Sequence, residues 1–255
     1  MAVVFDCSSS MAMFRKPYTT TSSVSFAFPP PSAVAGLLSA IIGLENGASE
    51  NGARADYWSA LRGTRIALSI LNATRWLRAT LNFWDTGEVM NAHTQVKHQF
   101  VASPKYRIYV EGGIEEYLDK YLRKGSFFYT PYLGTAYSIA QIDYVGACQP
   151  QPVEEDAIQV DSILPWEENG EGEMPTLDIA KTGGVFRELV PFALTPERGL
   201  VQSINVVFSV DAAHPIYVKK RGALNVTRCV VGDVEKVIAW FPEWGAGEPS
   251  GEKTV

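Results

Sequence analysis

The sequence predicts an α+β fold with a ferredoxin-like core, a split β-α-β unit in which helices cover one face of a four-stranded sheet. Three observations lead to this prediction. Four segments have the composition and alternation of strands, two place apolar residues at helical spacing, and their order is strand, helix, strand, strand, helix, strand. The predicted strands are residues 2–6, 65–71, 106–110 and 138–146.

The first predicted helix follows the three consecutive prolines at residues 29–31. Ser32 is placed to cap it, and the apolar run that begins at residue 33 continues to about residue 44. Gly36 lies inside this helix, where glycine costs about 1 kcal/mol relative to alanine. We therefore expect another backbone or a ligand close to Gly36.

The second predicted helix covers residues 114–124 and is amphipathic. Ile114, Leu118 and Leu122 fall on one face at helical spacing. Gly125 follows and favours the left-handed conformation that ends helices.

A long insert, residues 72–105, separates the second and third strands of the core. Apolar and polar residues alternate from Leu77 to Phe83, which predicts an extended β-arm. Basic residues concentrate in and around this arm, because residues 60–110 contain seven lysines or arginines against two acidic residues.

We expect the core and its insert to occupy residues 1–148. Residues 149–176 are rich in proline and acidic residues and are predicted to form a linker or insertion. Alternating segments within residues 177–242 predict a smaller β-rich C-terminal region. Residues 243–255 are predicted to form a disordered tail.

The charge of the chain is unevenly distributed. The formal net charge is −6, but residues 154–173 contain eight acidic residues and no lysine or arginine. Without that segment the remainder carries +2. A nucleic-acid partner is therefore compatible with this composition, and the alternative is a solvated basic face balanced by an acidic loop.

The composition argues against several classes of protein. Cys7, Cys148 and Cys229 are far apart and only three histidines are present, so no metal and no other cofactor is expected. The longest apolar run, residues 33–44, is too short to cross a bilayer, and the N-terminus lacks the basic region of a secretory signal. We therefore expect a cytoplasmic protein with no membrane role.

Two clusters have chemistry suited to RNA. The loop FRKPYTTT, residues 14–21, combines two cations, two aromatic rings and three hydroxyls, which suits phosphate contact and base stacking. Lys97 and His98 have catalytic potential, because lysine can stabilise a phosphorane and histidine can move a proton during RNA cleavage by its own 2′-hydroxyl. The simpler interpretation is that this pair binds phosphate on the β-arm.

Several segments together resemble a known family. FPPPSAVAGLLSAIIGL is similar to the signature of the CRISPR-associated Cas-five family, a branch of the RAMP superfamily found in type I Cascade complexes. HTQVKHQFVASPKYRIYV, YTPYLGTAYSIAQI and ELVPFALTPERGLVQSINVVF resemble later blocks of that family in the same order. The resemblance is closest to type I-B and covers the chain to about residue 218.

The resemblance implies an RRM-like fold from which a β-hairpin, called the thumb, protrudes. It also implies a noncatalytic Cascade subunit that binds the 5′ handle of the crRNA and caps the backbone filament. Its partners would be the backbone subunit, the large subunit and, in the assembled complex, target DNA. A helix N-terminus favours phosphate, and Gly36 would allow close packing under the strand. Transferred to this sequence, the RNA contacts are Arg15, Lys16, Tyr18, Thr19, Thr20, Thr21, Ser32, Gly36, Arg75, Arg78, Gln95, Lys97 and His98.

Two alternatives remain open from the sequence. A type I-C branch of the family cuts the crRNA precursor without metal, using tyrosine, lysine and histidine. Lys97 and His98 match part of that set, and Tyr18 or Tyr57 is the candidate third member. The second alternative is a scaffold whose small-residue helix face binds a protein partner without RNA.

Overall fold

The computed structural model confirms the predicted α+β fold. It describes residues 1–20, 22–47, 54–84, 93–166, 173–211 and 214–245. The first part of the chain forms β1 (Ala2–Ser8), β2 (Met11–Ala12), β3 (Phe14–Arg15), β4 (Ser22–Ser23), β5 (Ser25–Phe26), α1 (Pro31–Ile42), α2 (Tyr57–Ala60), β6 (Arg65–Ile70), β7 (Arg75–Trp84), β8 (His93–Ala102), β9 (Lys105–Glu111), α3 (Glu115–Lys124) and β10 (Gln141–Cys148).

The central sheet has the strand order β10, β1, β9, β6, and every neighbouring pair is antiparallel. Helices α1 and α3 contact each other, and their apolar side chains share one buried cluster with the side chains of β1. Strand β1 lies in the middle and is buried on both faces, since Val3 and Phe5 join that cluster whereas Ala2 and Val4 join another. This is the ferredoxin-like arrangement that the sequence predicts.

An ion pair in the central sheet fixes the register of β1 against β9. Asp6 is only 5% exposed and lies directly opposite Arg107. The guanidinium donates two hydrogen bonds to the carboxylate, at 2.7 Å from Nε to Oδ1 and 3.1 Å from Nη2 to Oδ2. A slip of one residue would send these side chains to opposite faces, so the pair specifies the alignment.

Helix α1 begins at Pro31, and the prediction that Ser32 caps it is wrong. Pro30 occupies the N-cap position, and no side chain caps the first turn. Proline suits the first helical position because its ring fixes φ and its missing N–H would have no partner there. The helix ends before Gly43, which has a φ of 82° and donates its N–H to the carbonyl of Ser39.

Of the two neighbours expected at Gly36, the second backbone is wrong, whereas the ligand stays a prediction. Outside the backbone of its own helix, the only described atom within 4 Å of a Cβ built on Gly36 is Tyr57 Oη, at 3.9 Å. The glycine therefore leaves room beside the helix and does not admit another backbone.

The remainder of the chain is rich in strands, as predicted. Its elements are β11 (Gln151–Pro152), β12 (Ile158–Val160), β13 (Leu164–Pro165), β14 (Thr176–Leu177), α4 (Ile179–Thr182), β15 (Phe186–Leu194), β16 (Leu200–Phe208), β17 (Ile216–Lys220), β18 (Val226–Val231) and β19 (Val234–Ala239). The strands form three small sheets, with the orders β11-β18-β19, β12-β17-β14 and β13-β16-β15.

Residues 149–176 do not form a linker in the described part of the chain. Strands β11, β12 and β13 lie in this segment and pair with β18, β17 and β16, and β14 begins at its end. Each is two or three residues long, which is too short to give an alternating pattern. Val160 and Leu164 nevertheless enter the apolar core of the C-terminal region.

Strand β15 is not predicted by the pattern, because Pro191 falls inside it. The strand lies at the edge of its sheet, and its register shifts after Pro191, which is where a residue without an N–H is tolerated. The predicted tail also begins too early. Trp244 is 2% exposed and donates its backbone N–H to Thr64, whereas residues 246–255 lie outside the described residues.

The described residues contain no cluster of three or more histidine, cysteine, aspartate or glutamate side chains that could hold a metal ion. Within the same part of the chain, no helix has the length and apolar character that crossing a bilayer requires.

Candidate nucleic-acid interface

Strands β7 and β8 form the predicted hairpin, which we call the thumb. Ten residue pairs join them, from Arg75 opposite Ala102 to Trp84 opposite His93. Side chains alternate along a strand, so the hairpin has two different faces. The cationic face carries Trp76, Arg78, Thr80, Asn82, Trp84, His93, Gln95, Lys97, Gln99 and Val101. The apolar face carries Arg75, Leu77, Ala79, Leu81, Phe83, Thr94, Val96, His98, Phe100 and Ala102.

The second edge of β8 joins the thumb to the rest of the domain. Strand β2 pairs antiparallel with Val101 and Ala102, the last two residues of β8. Strand β4 pairs parallel with the middle of β8. Ser22 lies beside Lys97, and Ser23 lies beside His98. Strand β3 and the loop after it, which carry the predicted RNA contacts Arg15, Lys16, Tyr18, Thr19 and Thr20, therefore lead to a strand that pairs with the middle of β8.

A surface cleft of about 510 Å³ lies where β7, β8 and β4 meet. Nine residues line it: Ser22, Ser23, Val24, Arg78, Ala79, Thr80, Lys97, His98 and Gln99. Arg78 and Lys97 are exposed, and neither has an ion-pair partner among the described residues. The cleft therefore combines two available cations with uncharged hydrogen-bonding groups. The predicted contact Gln95 is exposed further along the same face.

Two tryptophans accompany these cations on the cationic face. Trp76 is 44% exposed, Trp84 is 64% exposed, and Trp84 contacts the His93 ring at 4.0 Å between ring centroids. Large exposed aromatic rings are suited to stacking against bases. Neither tryptophan is among the contacts predicted from the sequence, although both stand an even number of residues from Arg78 and so share its face of the strand.

His98 is placed differently from Lys97, because consecutive strand residues point to opposite faces. It is 7% exposed, and its ring lies 5.6 Å from that of Phe83 and 5.8 Å from that of Phe100. Its Nδ1 is 3.0 Å from the carbonyl oxygen of Val96. The Lys97 and His98 side chains are thus neighbours in sequence but lie on different faces of the thumb.

The loop between β3 and β4 is organised by its own hydrogen bonds. Arg15 donates from Nη2 to the carbonyl oxygen of Thr19 at 2.9 Å, and the Thr19 hydroxyl donates to the carbonyl oxygen of Lys16 at 2.8 Å. Tyr18 is 69% exposed, and Thr20 is exposed as well. The predicted contact Thr21 lies outside the described residues.

Lys16 differs from the other loop residues because its ammonium group is already engaged. It forms an ion pair with Glu188 of β15, and both side chains are less than one-fifth exposed. The same ammonium lies 5.1 Å from the centroid of the Phe26 ring. Lys16 therefore joins the loop to the C-terminal region through an ion pair. The basic, polar motif around it predicts an RNA contact instead.

The remaining predicted contacts are not among the residues that line this cleft. Arg75 is exposed at the base of the thumb, on the apolar face. Ser32 is partly exposed in the first turn of α1. Gly36 and Tyr57 line a separate cavity beside α1. Burial is the largest influence on the Tyr57 hydroxyl and raises its pKa, so this side chain stays protonated.

Comparison with known proteins identifies a family. The family model Cas_Cas5d, described as CRISPR-associated protein (Cas_Cas5), matches residues 2–171. No curated protein sequence gives a significant match.

Two solved structures have similar folds. One is a chain of a CRISPR RNA-guided surveillance complex, with a TM-score of 0.52, 13% identity, and coverage of 85% of this chain and 90% of that chain. The other is a CRISPR protein from Archaeoglobus fulgidus, with a TM-score of 0.52, 15% identity, and coverage of 94% of this chain and 100% of that chain. At these identities the similarity concerns the fold.

The pairing of Lys16 with Glu188 generates a stability prediction. Lys16→Ala and Glu188→Gln should each lower the free energy of unfolding by about 2 kcal/mol, because each leaves a largely buried charged group without its ionic partner. The double variant should cost less than the sum of the single variants, as measured by urea denaturation. The exposed pair Arg54 and Glu197 is the control, with an expected coupling of about 0.5 kcal/mol or less. Additive effects at Lys16 and Glu188 would contradict the pairing.

Proposed function

Because the chain belongs to the CRISPR-associated Cas_Cas5 family, we propose that it is a noncatalytic, RNA-binding subunit of a CRISPR surveillance complex. In this proposal it holds the 5′ handle of the crRNA and caps the backbone filament of a type I Cascade, most similar to type I-B. The backbone subunit and the large subunit are its protein partners. Target DNA is bound by the assembled complex in the cytoplasm.

The observation that carries the proposal is the composition of the cationic face. Arg78 and Lys97 can contact phosphates, while Trp76 and Trp84 offer exposed rings on the same side of the hairpin. A groove with positive charge and stacking surfaces is the usual means of binding a single strand. The exposed Tyr18 and Arg15 in the loop beside β8 extend the same chemistry.

The net negative charge of the chain does not oppose this proposal, because the acidic segment is partly neutralised elsewhere. Glu173 pairs with Lys220 at 2.5 Å, Asp161 pairs with Lys236 at 2.8 Å, and Glu155 lies 3.8 Å from Arg228. These partners belong to β17, β18 and β19 of the C-terminal region. The cations of the thumb therefore remain available to an anionic ligand.

The noncatalytic role is supported by the separation of Lys97 from His98. Acid-base catalysis requires groups within hydrogen-bond reach of the same reacting atoms. Both residues line the cleft, but Lys97 is exposed, whereas the His98 ring is 7% exposed and packs against Phe83 and Phe100 on the opposite face of the hairpin. The arrangement favours phosphate binding by Lys97 and a packing role for His98.

In this role the protein would recognise the shape and the ends of the RNA, while pairing with the guide would read the target sequence. Phosphate contacts give affinity without depending on the bases. The affinity should therefore fall steeply as the salt concentration rises.

The salt dependence of RNA binding tests the cationic face. Arg78→Ala and Lys97→Ala should each reduce the slope of log K against log salt by about 0.7, because each removes one phosphate contact. The measurement is a fluorescence-anisotropy titration with a single-stranded repeat RNA at several salt concentrations. Lys120→Ala, which removes an exposed charge from α3, should leave the slope unchanged. Unchanged slopes for both thumb variants would remove these residues as contacts, and absence of RNA binding would favour the protein-binding scaffold.

Incubation of the purified protein with repeat RNA in EDTA tests the catalytic alternative. We expect the RNA to remain intact, because the His98 ring is buried and lies on the opposite face of the hairpin from the Lys97 side chain. Specific cleavage by the wild type that disappears in His98→Ala would instead establish a metal-independent endoribonuclease. Cleavage that survives His98→Ala would indicate a contaminating nuclease.

A further inference from the structure

A separate cavity of about 320 Å³ lies beside α1. Its walls include Gly36 of α1, Tyr57 of α2, Tyr129, Tyr132 and Arg198. None of its lining residues also lines the cleft on the thumb. Its volume is near the lower end of the range of about 300–1,000 Å³ that small-molecule sites occupy. This size suits one ring system with its sugar better than a length of chain.

Gly36 creates part of this space. A Cβ at this position would meet only Tyr57 Oη, at 3.9 Å, within the part of the chain that the structure describes. Glycine in a helix interior destabilises the helix, so the position is unfavourable unless the space beside it is used. Ala33 and Ala40 of the same helix also line the cavity with minimal side chains.

Two polar groups are available to a ligand in this cavity. The Tyr57 hydroxyl makes no hydrogen bond with any described residue, and its raised pKa keeps it a donor. The Arg198 guanidinium donates from Nη2 to the carbonyl oxygen of Asn46 at 3.2 Å, which leaves its other N–H groups for a ligand. Arg198 is held in a left-handed backbone conformation, with a φ of 67°. This conformation belongs to the turn that joins β15 to β16, in which the Arg198 N–H donates to the carbonyl oxygen of Thr195.

An aromatic segment, residues 128–137, connects this cavity to the base of the thumb. At one end, the Tyr129 N–H donates to the carbonyl oxygen of Ala40 in α1 at 2.9 Å. At the other end, the Tyr137 ring lies 6.3 Å from that of Phe100 in β8. Its exposed rings are those of Phe128, Tyr129, Tyr132 and Tyr137.

We propose that the cavity beside α1 holds one unstacked base of the RNA strand bound by the thumb, an inference that rests on the proposed function. The tyrosine rings provide stacking surfaces, while Tyr57 and Arg198 donate to the acceptor atoms on the edge of the base. Single-stranded RNA is commonly recognised through such splayed bases. Exposed rings of residues 128–137 lie between the cavity and the base of the thumb, which they reach at Phe100 on its apolar face.

A base fits these groups better than an apolar side chain of a partner protein does. An apolar group would cover the Tyr57 hydroxyl and the remaining Arg198 N–H groups without satisfying them, which is unfavourable. Every base presents a flat aromatic face together with hydrogen-bond acceptors on its edge. The cavity offers the complementary set.

Abasic scanning of the RNA tests this site. The probes are single-stranded RNAs that copy the 5′ handle, each with one nucleotide replaced by an abasic ribose. With wild-type protein, one abasic position should weaken binding by about tenfold, as expected for the loss of one stacked base. With Gly36→Leu, which fills the cavity, the intact RNA should bind about tenfold more weakly and that abasic position should have no further effect. Tyr132→Ala, at a half-exposed position, should give the same pattern if Gly36→Leu fails to fold.

Gly184→Leu is the matched control, because Gly184 has no described atom within 4 Å of its Cβ position and does not line the cavity. It should bind the intact RNA like the wild type. If the wild type and Gly36→Leu bind the intact RNA and every abasic RNA with one and the same affinity, the proposal of a base in this cavity is wrong. The proposed RNA interface on the thumb is unaffected by that result. Unchanged RNA binding by Gly36→Leu, with loss of a protein subunit from the complex, would assign the cavity to that subunit and overturn the proposal. Failure of the wild type to bind any probe would instead refute the proposed function.

Discussion

Strand β8 is hydrogen bonded along both edges, and the candidate RNA interface depends on this pairing. Strand β7 follows one edge over its whole length, while β2 and β4 share the other. These partners fix the register of the thumb relative to the domain. Since side chains alternate, a shift of one residue would place Arg78 and Lys97 on the face that His98 and Phe100 now occupy. The location of the cations is therefore a consequence of strand pairing as much as of residue type.

Much of the fold could be predicted from the sequence, because its core strands and helices follow clear periodicities. The same alternation predicted the thumb and could have placed Trp76 with Arg78. The parallel pairing of β4 with β8 could not be predicted, because two serines carry no strand signal. Nor could the ion pair of Lys16 with Glu188, since it joins residues that are distant in sequence. The short strands within residues 149–176 were missed because they acquire their structure from their partners.

The positions of Lys97 and Gly36 illustrate how strands and helices change the meaning of a motif. Adjacent residues in a strand are separated by its plane, so Lys97 and His98 face different environments. A glycine in a helix can leave space as well as permit contact, and Gly36 has only Tyr57 Oη near its Cβ position among the described residues. Both conclusions depend on which residues are neighbours in space, and the sequence does not show this. The type of a residue indicates its chemistry, but the strands and helices around it determine which ligand its side chain can reach.

We propose above that the cationic face of the thumb and the adjoining loop bind RNA. Ultraviolet crosslinking of the complex purified with its own RNA, followed by mass spectrometry of the nucleotide-bearing peptides, tests this claim most directly. We expect crosslinks at Trp76, Trp84 or Tyr18, whose rings are exposed on these elements. Crosslinks confined to the C-terminal region, with none on the thumb or the loop, would contradict it.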